Sequence, residues 1–106
     1  EKAYLNAYTY YKTGKYKSAI VAFKNALKQY PESKRREEIM YLIVDSGYRL
    51  ASNSISEKQT DRYLSMLDSY LSFKEEFPES THIKSLDRMA QQARDYLDRN
   101  NKDNNI

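Results

Sequence analysis

Residues 3–31, AYLNAYTYYKTGKYKSAIVAFKNALKQYP, decide the fold because they describe two helices joined by one turn. Apolar residues recur every three or four positions on both sides of Gly14, which is the spacing of one face of a helix. Gly14 breaks the first helix, and Pro31 ends the second because proline cannot donate a backbone hydrogen bond. The segment therefore predicts a helix hairpin.

A repeat of 47 residues extends this pattern along the chain. The tetrapeptide Tyr30-Pro31-Glu32-Ser33 returns as Phe77-Pro78-Glu79-Ser80. Four apolar positions upstream also match in register: Tyr16, Ala19, Phe23 and Ala26 correspond to Tyr63, Met66, Tyr70 and Phe73. Two long helices are therefore expected to end near Tyr30 and Phe77, just before each proline.

Three further segments complete the expected secondary structure. A helix is predicted from about residue 35 to 51, and residues 52–55 form a loop of poor helix formers. Ser56 and Gln59 have the spacing of a capping box at the start of the next helix. Residues 81–99 predict a fifth helix with one apolar stripe, and its polar remainder suits a helix that caps a stack.

The fold class that follows is all-α. About five helices are expected, paired as antiparallel hairpins and stacked as a short right-handed solenoid with a C-terminal capping helix. The domain is expected over residues 1–99, with repeat one at about 2–31, repeat two at about 35–78 and the capping helix at about 81–99. Residues 100–106 are polar and are expected to be disordered.

The first hairpin resembles a tetratricopeptide repeat at nearly every signature position: Ala7, Gly14, Tyr16, Ala19, Phe23, Ala26 and Pro31. The second hairpin matches this signature less closely and has a longer loop. Its sequence resembles the BamD (YfiO) family of lipoproteins at several short stretches: Tyr41-Leu42-Ile43, Asn53-Ser54, Arg62-Tyr63 and Phe77-Pro78-Glu79-Ser80. The resemblance covers residues 3–97, which correspond to the C-terminal repeats of that family.

The resemblance implies a protein-binding scaffold for the assembly of outer-membrane β-barrel proteins, at the periplasmic face of the outer membrane. Its implied partner is the barrel subunit of the assembly machine. The family reaches the membrane through a lipid anchor and carries earlier repeats, neither of which lies in these residues, so the resemblance implies a fragment. The alternative is a surface protein of the tetratricopeptide type that binds a glycan or another ligand.

Two surfaces are candidates for binding a partner, and the first is a concave groove rich in tyrosine. Its expected lining comes from the first helix of each hairpin: Tyr4, Tyr8, Tyr11, Lys12, Tyr41, Asp45 and Tyr48. Tyrosine offers a large contact area with few rotatable bonds, which suits a binding surface. The alternative is that several of these residues fill the contact between hairpins. Core packing is expected for another four: Tyr10, Tyr16, Tyr63 and Tyr70.

The second candidate is a convex basic face formed by Lys17, Lys24 and Lys28. Residues 1–36 carry nine Lys and Arg against two Glu, a net charge of +7, whereas the whole chain carries +3. This asymmetry would attract an acidic protein surface. The alternative is a solvated helix face. No nucleic-acid partner is expected, because no groove-reading motif accompanies the basic residues.

Catalytic and metal chemistry find little support in the sequence. There is no cysteine, so a disulfide or a thiolate metal site is excluded within these residues. His82 is the only histidine, and an ordinary surface position is expected for it. No glycine-rich phosphate loop occurs, nor does any nucleophile with a base at a recognisable spacing. We therefore expect no enzymatic activity, no cofactor and no bound metal.

Overall fold

The computed structural model describes residues 2–104, and it describes the side chains of residues 2–101. Within that range the chain forms five α-helices and no strand. In chain order they are α1 (Lys2–Lys12), α2 (Tyr16–Gln29), α3 (Arg36–Ser52), α4 (Ser56–Glu76) and α5 (Ile83–Asn104). The prediction of an all-α fold with five helices is confirmed.

The helices stack in chain order. Each helix packs against the next one, and α3 also packs against α5. The molecule is elongated, with extents of 50 × 28 × 19 Å, as expected for hairpins that contact only their neighbours. Helices α1, α3 and α5 lie in one layer, where hydrogen bonds link α1 to α3 and α3 to α5. Helices α2 and α4 form the other layer.

The repeated tetrapeptide builds the same turn twice. In both copies the backbone N–H of the aromatic residue bonds to the carbonyl four residues back and so closes the preceding helix. The serine hydroxyl then accepts a backbone N–H two residues later: Ser33 Oγ from Arg35 and Ser80 Oγ from His82, both at 3.1 Å. Each serine thereby satisfies a donor just ahead of the next helix, so the sequence repeat is also a structural one.

Two buried clusters form the core, and α3 contributes to both. The first cluster joins α1, α2 and α3: Tyr4, Ala7, Ala19, Phe23, Ala26, Ile39, Leu42 and Ile43. The second joins α3, α4 and α5: Val44, Ala51, Tyr63, Met66, Tyr70, Phe73, Leu86, Ala90 and Ala93. Gly47 permits the close approach of α3 and α4, because a Cβ there would lie 3.3 Å from the Met66 Cβ.

Helix α5 repeats only one of the two apolar faces of α3. At the 47-residue offset three buried positions of α3 match three buried positions of α5: Ile39, Ile43 and Ser46 with Leu86, Ala90 and Ala93. The residues that α3 turns toward the second cluster match exposed polar residues: Val44, Tyr48 and Ala51 with Gln91, Asp95 and Asp98. The outer face of α5 is therefore polar, a property expected of a helix that caps a stack.

Two helix ends differ from the local predictions. Helix α5 continues to Asn104, past the predicted end at about residue 99, and no glycine or proline interrupts the helix there. Residues 105–106 of the predicted tail lie outside the described residues. Ser56 begins α4 as predicted, but no side chain caps that helix. The Gln59 amide instead donates to the Ala51 carbonyl at 3.0 Å and ties α4 to the end of α3.

The core prediction for four tyrosines holds for two of them. Tyr63 and Tyr70 are buried in the second cluster. Tyr10 and Tyr16 are only half-buried.

Candidate functional site

Seven residues predicted to line a groove lie along α1 and α3. We call this set the tyrosine face: Tyr4, Tyr8, Tyr11, Lys12, Tyr41, Asp45 and Tyr48. The three α1 rings stack in a row, because spacings of four and three residues place side chains on one side of a helix. Ring centroids are 5.7 Å apart for Tyr4 and Tyr8 and 5.9 Å apart for Tyr8 and Tyr11.

A buried carboxylate joins α1 to α3 within the tyrosine face. Asp45 is 2% exposed, and its Oδ1 accepts the Tyr11 O–H at 2.8 Å and the Arg49 Nε–H at 2.6 Å. The guanidinium charge offsets part of the cost of removing the carboxylate from water. Burial raises the pKa of Tyr11, and the hydrogen bond to Asp45 raises it further. Tyr11 therefore remains a protonated donor at neutral pH.

The turn before α5 and α5 itself contact the two tyrosines that α3 contributes to the tyrosine face. The Tyr41 ring stacks on the His82 ring with centroids 3.8 Å apart and planes inclined by 10°. The Tyr48 O–H donates to Gln92 Oε1. His82, in the turn before α5, is thus half-buried against a tyrosine. Contacts with this turn hold the Tyr41 ring, and a contact with α5 holds the Tyr48 ring.

Sequence reasoning missed three residues of this arrangement. Arg49 follows Asp45 by four residues, so the i,i+4 pairing rule would have found it. His82 comes from the turn before α5, and Gln92 comes from α5 itself. No spacing within a single sequence pairs them with particular tyrosines of α3.

Burial divides the tyrosine face into core and surface residues. Tyr4 and Asp45 are buried, which corrects their placement in an open groove. Tyr4 packs against Phe23, and the Arg35 guanidinium covers its ring at 4.4 Å. The alternative of contact between hairpins therefore describes Asp45, which joins α1 to α3, whereas Tyr4 also packs within the first hairpin. The residues that retain exposed surface are the half-buried tyrosines and one exposed lysine: Tyr8, Tyr11, Tyr41, Tyr48 and Lys12.

The predicted basic residues Lys17, Lys24 and Lys28 are exposed on α2, and none forms an ion pair with another described side chain. Lys17 and Lys24 border a trough between α2 and α4, with α3 at its floor. We call this trough the α2–α4 groove. It consists of two adjoining cavities of about 320 and 210 Å³. Lys28 does not line it, so only two of the three predicted basic residues border the groove.

Comparison with protein families matches the chain over residues 1–102 to YfiO, described as an outer membrane lipoprotein family. The chain belongs to this family. A search of curated protein sequences finds no significant match, so the family profile carries the assignment. The resemblance predicted from the second hairpin is confirmed, and membership in the YfiO family supports association with the outer membrane.

The YfiO match spans the tyrosine face and the α2–α4 groove alike. Among the side chains of residues 2–101, no group of three or more His, Asp or Glu is placed to hold a metal ion. None of the helices between residues 2 and 104 combines the length and hydropathy needed to cross a bilayer.

Proposed function

We propose that this YfiO-family chain is a protein-docking module of the BamD type. It holds the barrel subunit of the outer-membrane β-barrel assembly machine at the periplasmic face of the membrane. The observation that carries the proposal is the tyrosine face, where internal contacts fix the aromatic rings of two helices. Family membership supports the outer-membrane setting.

Fixed rings favour binding because they lose little freedom when a partner arrives. Immobilising a flexible side chain at an interface costs about 0.5–1.5 kcal/mol. Tyr8 is stacked on both sides, and Tyr48 is held by its hydrogen bond to Gln92. Lys12 adds a cation 5.9 Å from the Tyr8 ring centroid. This combination suits a peptide segment of mixed polarity.

The polar groups of the tyrosine face favour binding over catalysis. A general base must reach a substrate proton, and a nucleophile must be activated. The Asp45 carboxylate is buried and accepts two internal donors. The raised pKa of Tyr11 makes its phenol a poor acid at neutral pH. We therefore propose a role without catalysis and without a cofactor.

The test is a titration of the chain with the periplasmic domains of the barrel subunit. Tyr8→Ala and Tyr48→Ala are each expected to weaken binding by about 1 to 4 kcal/mol, the range of central aromatic contacts. Tyr30→Ala is the matched control, because Tyr30 is 49% exposed at the end of α2 and lies outside the tyrosine face. Thermal melts establish that each variant is folded at the assay temperature.

Two results would contradict the proposal. No binding by the unaltered chain would reject the docking role. Equal affinities for Tyr8→Ala, Tyr48→Ala and Tyr30→Ala would remove the tyrosine face from the contact.

A further inference from the structure

The α2–α4 groove has an apolar floor and is open to solvent. Helices α2 and α4 each pack against α3 and not extensively against each other. The floor between them is formed by Ile43, Gly47 and Leu50 of α3. Lys24, Ile43 and Ser69 line both cavities, which makes the groove continuous.

The two walls of the groove differ in size and polarity. The α4 wall carries three small residues, Ser65, Ser69 and Ser72, so it leaves room beside the floor. The α2 wall carries aliphatic side chains, of which Val21 is 57% exposed. Exposed aliphatic surface that borders a groove is a common feature of binding sites.

The charge of the lining is predominantly positive. The lining contains three cationic side chains, Lys17, Lys24 and Arg62, and one acidic side chain, Asp68. Arg62 donates a hydrogen bond to Ser54, whereas the two lysines have no ion-pair partner among the described side chains. Unpaired cations beside an apolar floor complement a ligand that is both acidic and aliphatic.

We propose that the α2–α4 groove binds an acidic amphipathic helix. The lining on α2 runs from Lys17 to Leu27, about 15 Å at the rise of a helix, which accommodates about three turns of a ligand helix. Lys17 and Lys24 are two helical turns apart. A ligand helix with carboxylates at positions i and i+7 faces both lysines, and aliphatic residues at i+3 and i+4 lie on Ile43.

This site is separate from the tyrosine face, so the two proposals fail independently. The groove lies against the residues of α3 at positions 43, 47 and 50, whereas the tyrosine face uses positions 41, 45 and 48. At 100° per residue these two sets occupy opposite sides of α3. A variant of one surface should leave ligand binding at the other unchanged.

The probe is a fluorescently labelled, alanine-based helical peptide with glutamate at i and i+7 and leucine at i+3 and i+4. Binding to the 106-residue chain is followed by anisotropy at low and at physiological salt. Lys24→Glu is expected to weaken binding by about tenfold or more, because it places like charges together. Lys84→Glu makes the same charge change at an exposed site on α5 and should alter the affinity by less than about twofold.

A second variant tests the shape of the groove without changing its charge. Ser69→Phe fills the section common to both cavities and is expected to abolish peptide binding, while Tyr8→Ala retains it. If Ser69→Phe does not fold, Lys24→Glu still decides the question.

Three outcomes would overturn the proposal. Equal weakening by Lys24→Glu and Lys84→Glu would show a response to net charge alone. Equal binding of a peptide with lysine in place of glutamate would remove the charge complementarity. Phosphatidylglycerol vesicles that bind through Lys24 and displace the peptide would identify the groove as a lipid site.

Discussion

The tyrosine face and the α2–α4 groove lie on opposite sides of α3 and are built in opposite ways. On the tyrosine face, polar groups bond to each other, as Tyr11 and Arg49 do with the buried carboxylate of Asp45. In the groove, Lys17 and Lys24 have no ion-pair partner among the described side chains. The polar side chains of the first surface therefore stabilise the fold, whereas the two lysines of the second have no bonded role within it.

The largest effect is expected from a substitution that breaks the packing on which both surfaces depend. Ala19 is fully buried in the first cluster. Ala19→Arg forces an unpaired charge and extra volume into that cluster and should lower the free energy of unfolding by about 3 to 5 kcal/mol. Urea denaturation measures the loss. Ser18→Arg, at the exposed neighbouring position, should change it by less than about 0.5 kcal/mol.

An Ala19→Arg variant that unfolds at the same urea concentration as the parent would mean that the register of α2 is wrong. Both surfaces would then have to be reassigned.

The next largest effect is the loss of stability when a carboxylate is removed from each surface in turn. Asp45→Ala leaves the Tyr11 hydroxyl and the Arg49 guanidinium without their acceptor and should cost about 2 kcal/mol of stability. Asp68→Ala removes an exposed carboxylate at the groove and should cost less than about 0.5 kcal/mol. Equal losses of stability in the two variants would mean that the internal hydrogen bonds of Asp45 do not distinguish the tyrosine face from the groove.

Alkaline pH should destabilise the protein through the tyrosine face. Burial and the hydrogen bond to Asp45 raise the pKa of Tyr11 above its ordinary value of 10.0, and burial also raises the pKa of Tyr4 and Tyr41. The stabilisation from a raised pKa is complete below pH 10.0 and is lost as the pH increases through the folded-state pKa. The free energy of unfolding should therefore decrease above pH 10.0.

Tyr11→Phe removes one of these ionisations, so its unfolding free energy should decrease less steeply with pH than that of the parent. Chemical denaturation across alkaline pH gives both slopes. Parallel slopes would show that Tyr11 ionises equally in the folded and unfolded states.

The smallest effect is expected at the groove lysines. The double variant Lys17→Ala and Lys24→Ala removes two exposed charges without internal partners and should change stability by less than about 0.5 kcal/mol. The measurement is a thermal melt at low salt, where surface charges are least screened. A large decrease in melting temperature would mean that these lysines serve the fold.

The sequence was sufficient to predict the helices because local chemistry sets their ends. Each Tyr-Pro or Phe-Pro step closes a helix within one residue of the predicted position, and Gly14 adopts a φ of 78° at the first turn. The cap at Ser56 was mispredicted for a different reason. The Gln59 amide donates to the Ala51 carbonyl of α3. The spacing of residues within α4 gives no information about an acceptor on another helix.

The sequence was less informative about the site. Tyr4 and Tyr8 share one side of α1, and nothing in their spacing distinguishes them. Tyr4 is buried because Phe23 and Arg35 cover it, and both come from later segments of the chain. The α2–α4 groove also depends on tertiary structure, since its floor and its two walls come from three different helices. Charge alone indicated Lys17, Lys24 and Lys28 but not the groove beside the first two.

The most direct test of the docking role is purification of the protein from its own outer membranes in mild detergent. We expect the barrel subunit of the assembly machine to co-purify with it, and we expect Tyr8→Ala combined with Tyr48→Ala to reduce the recovery of that subunit. Recovery of folded protein without the barrel subunit would contradict the docking role.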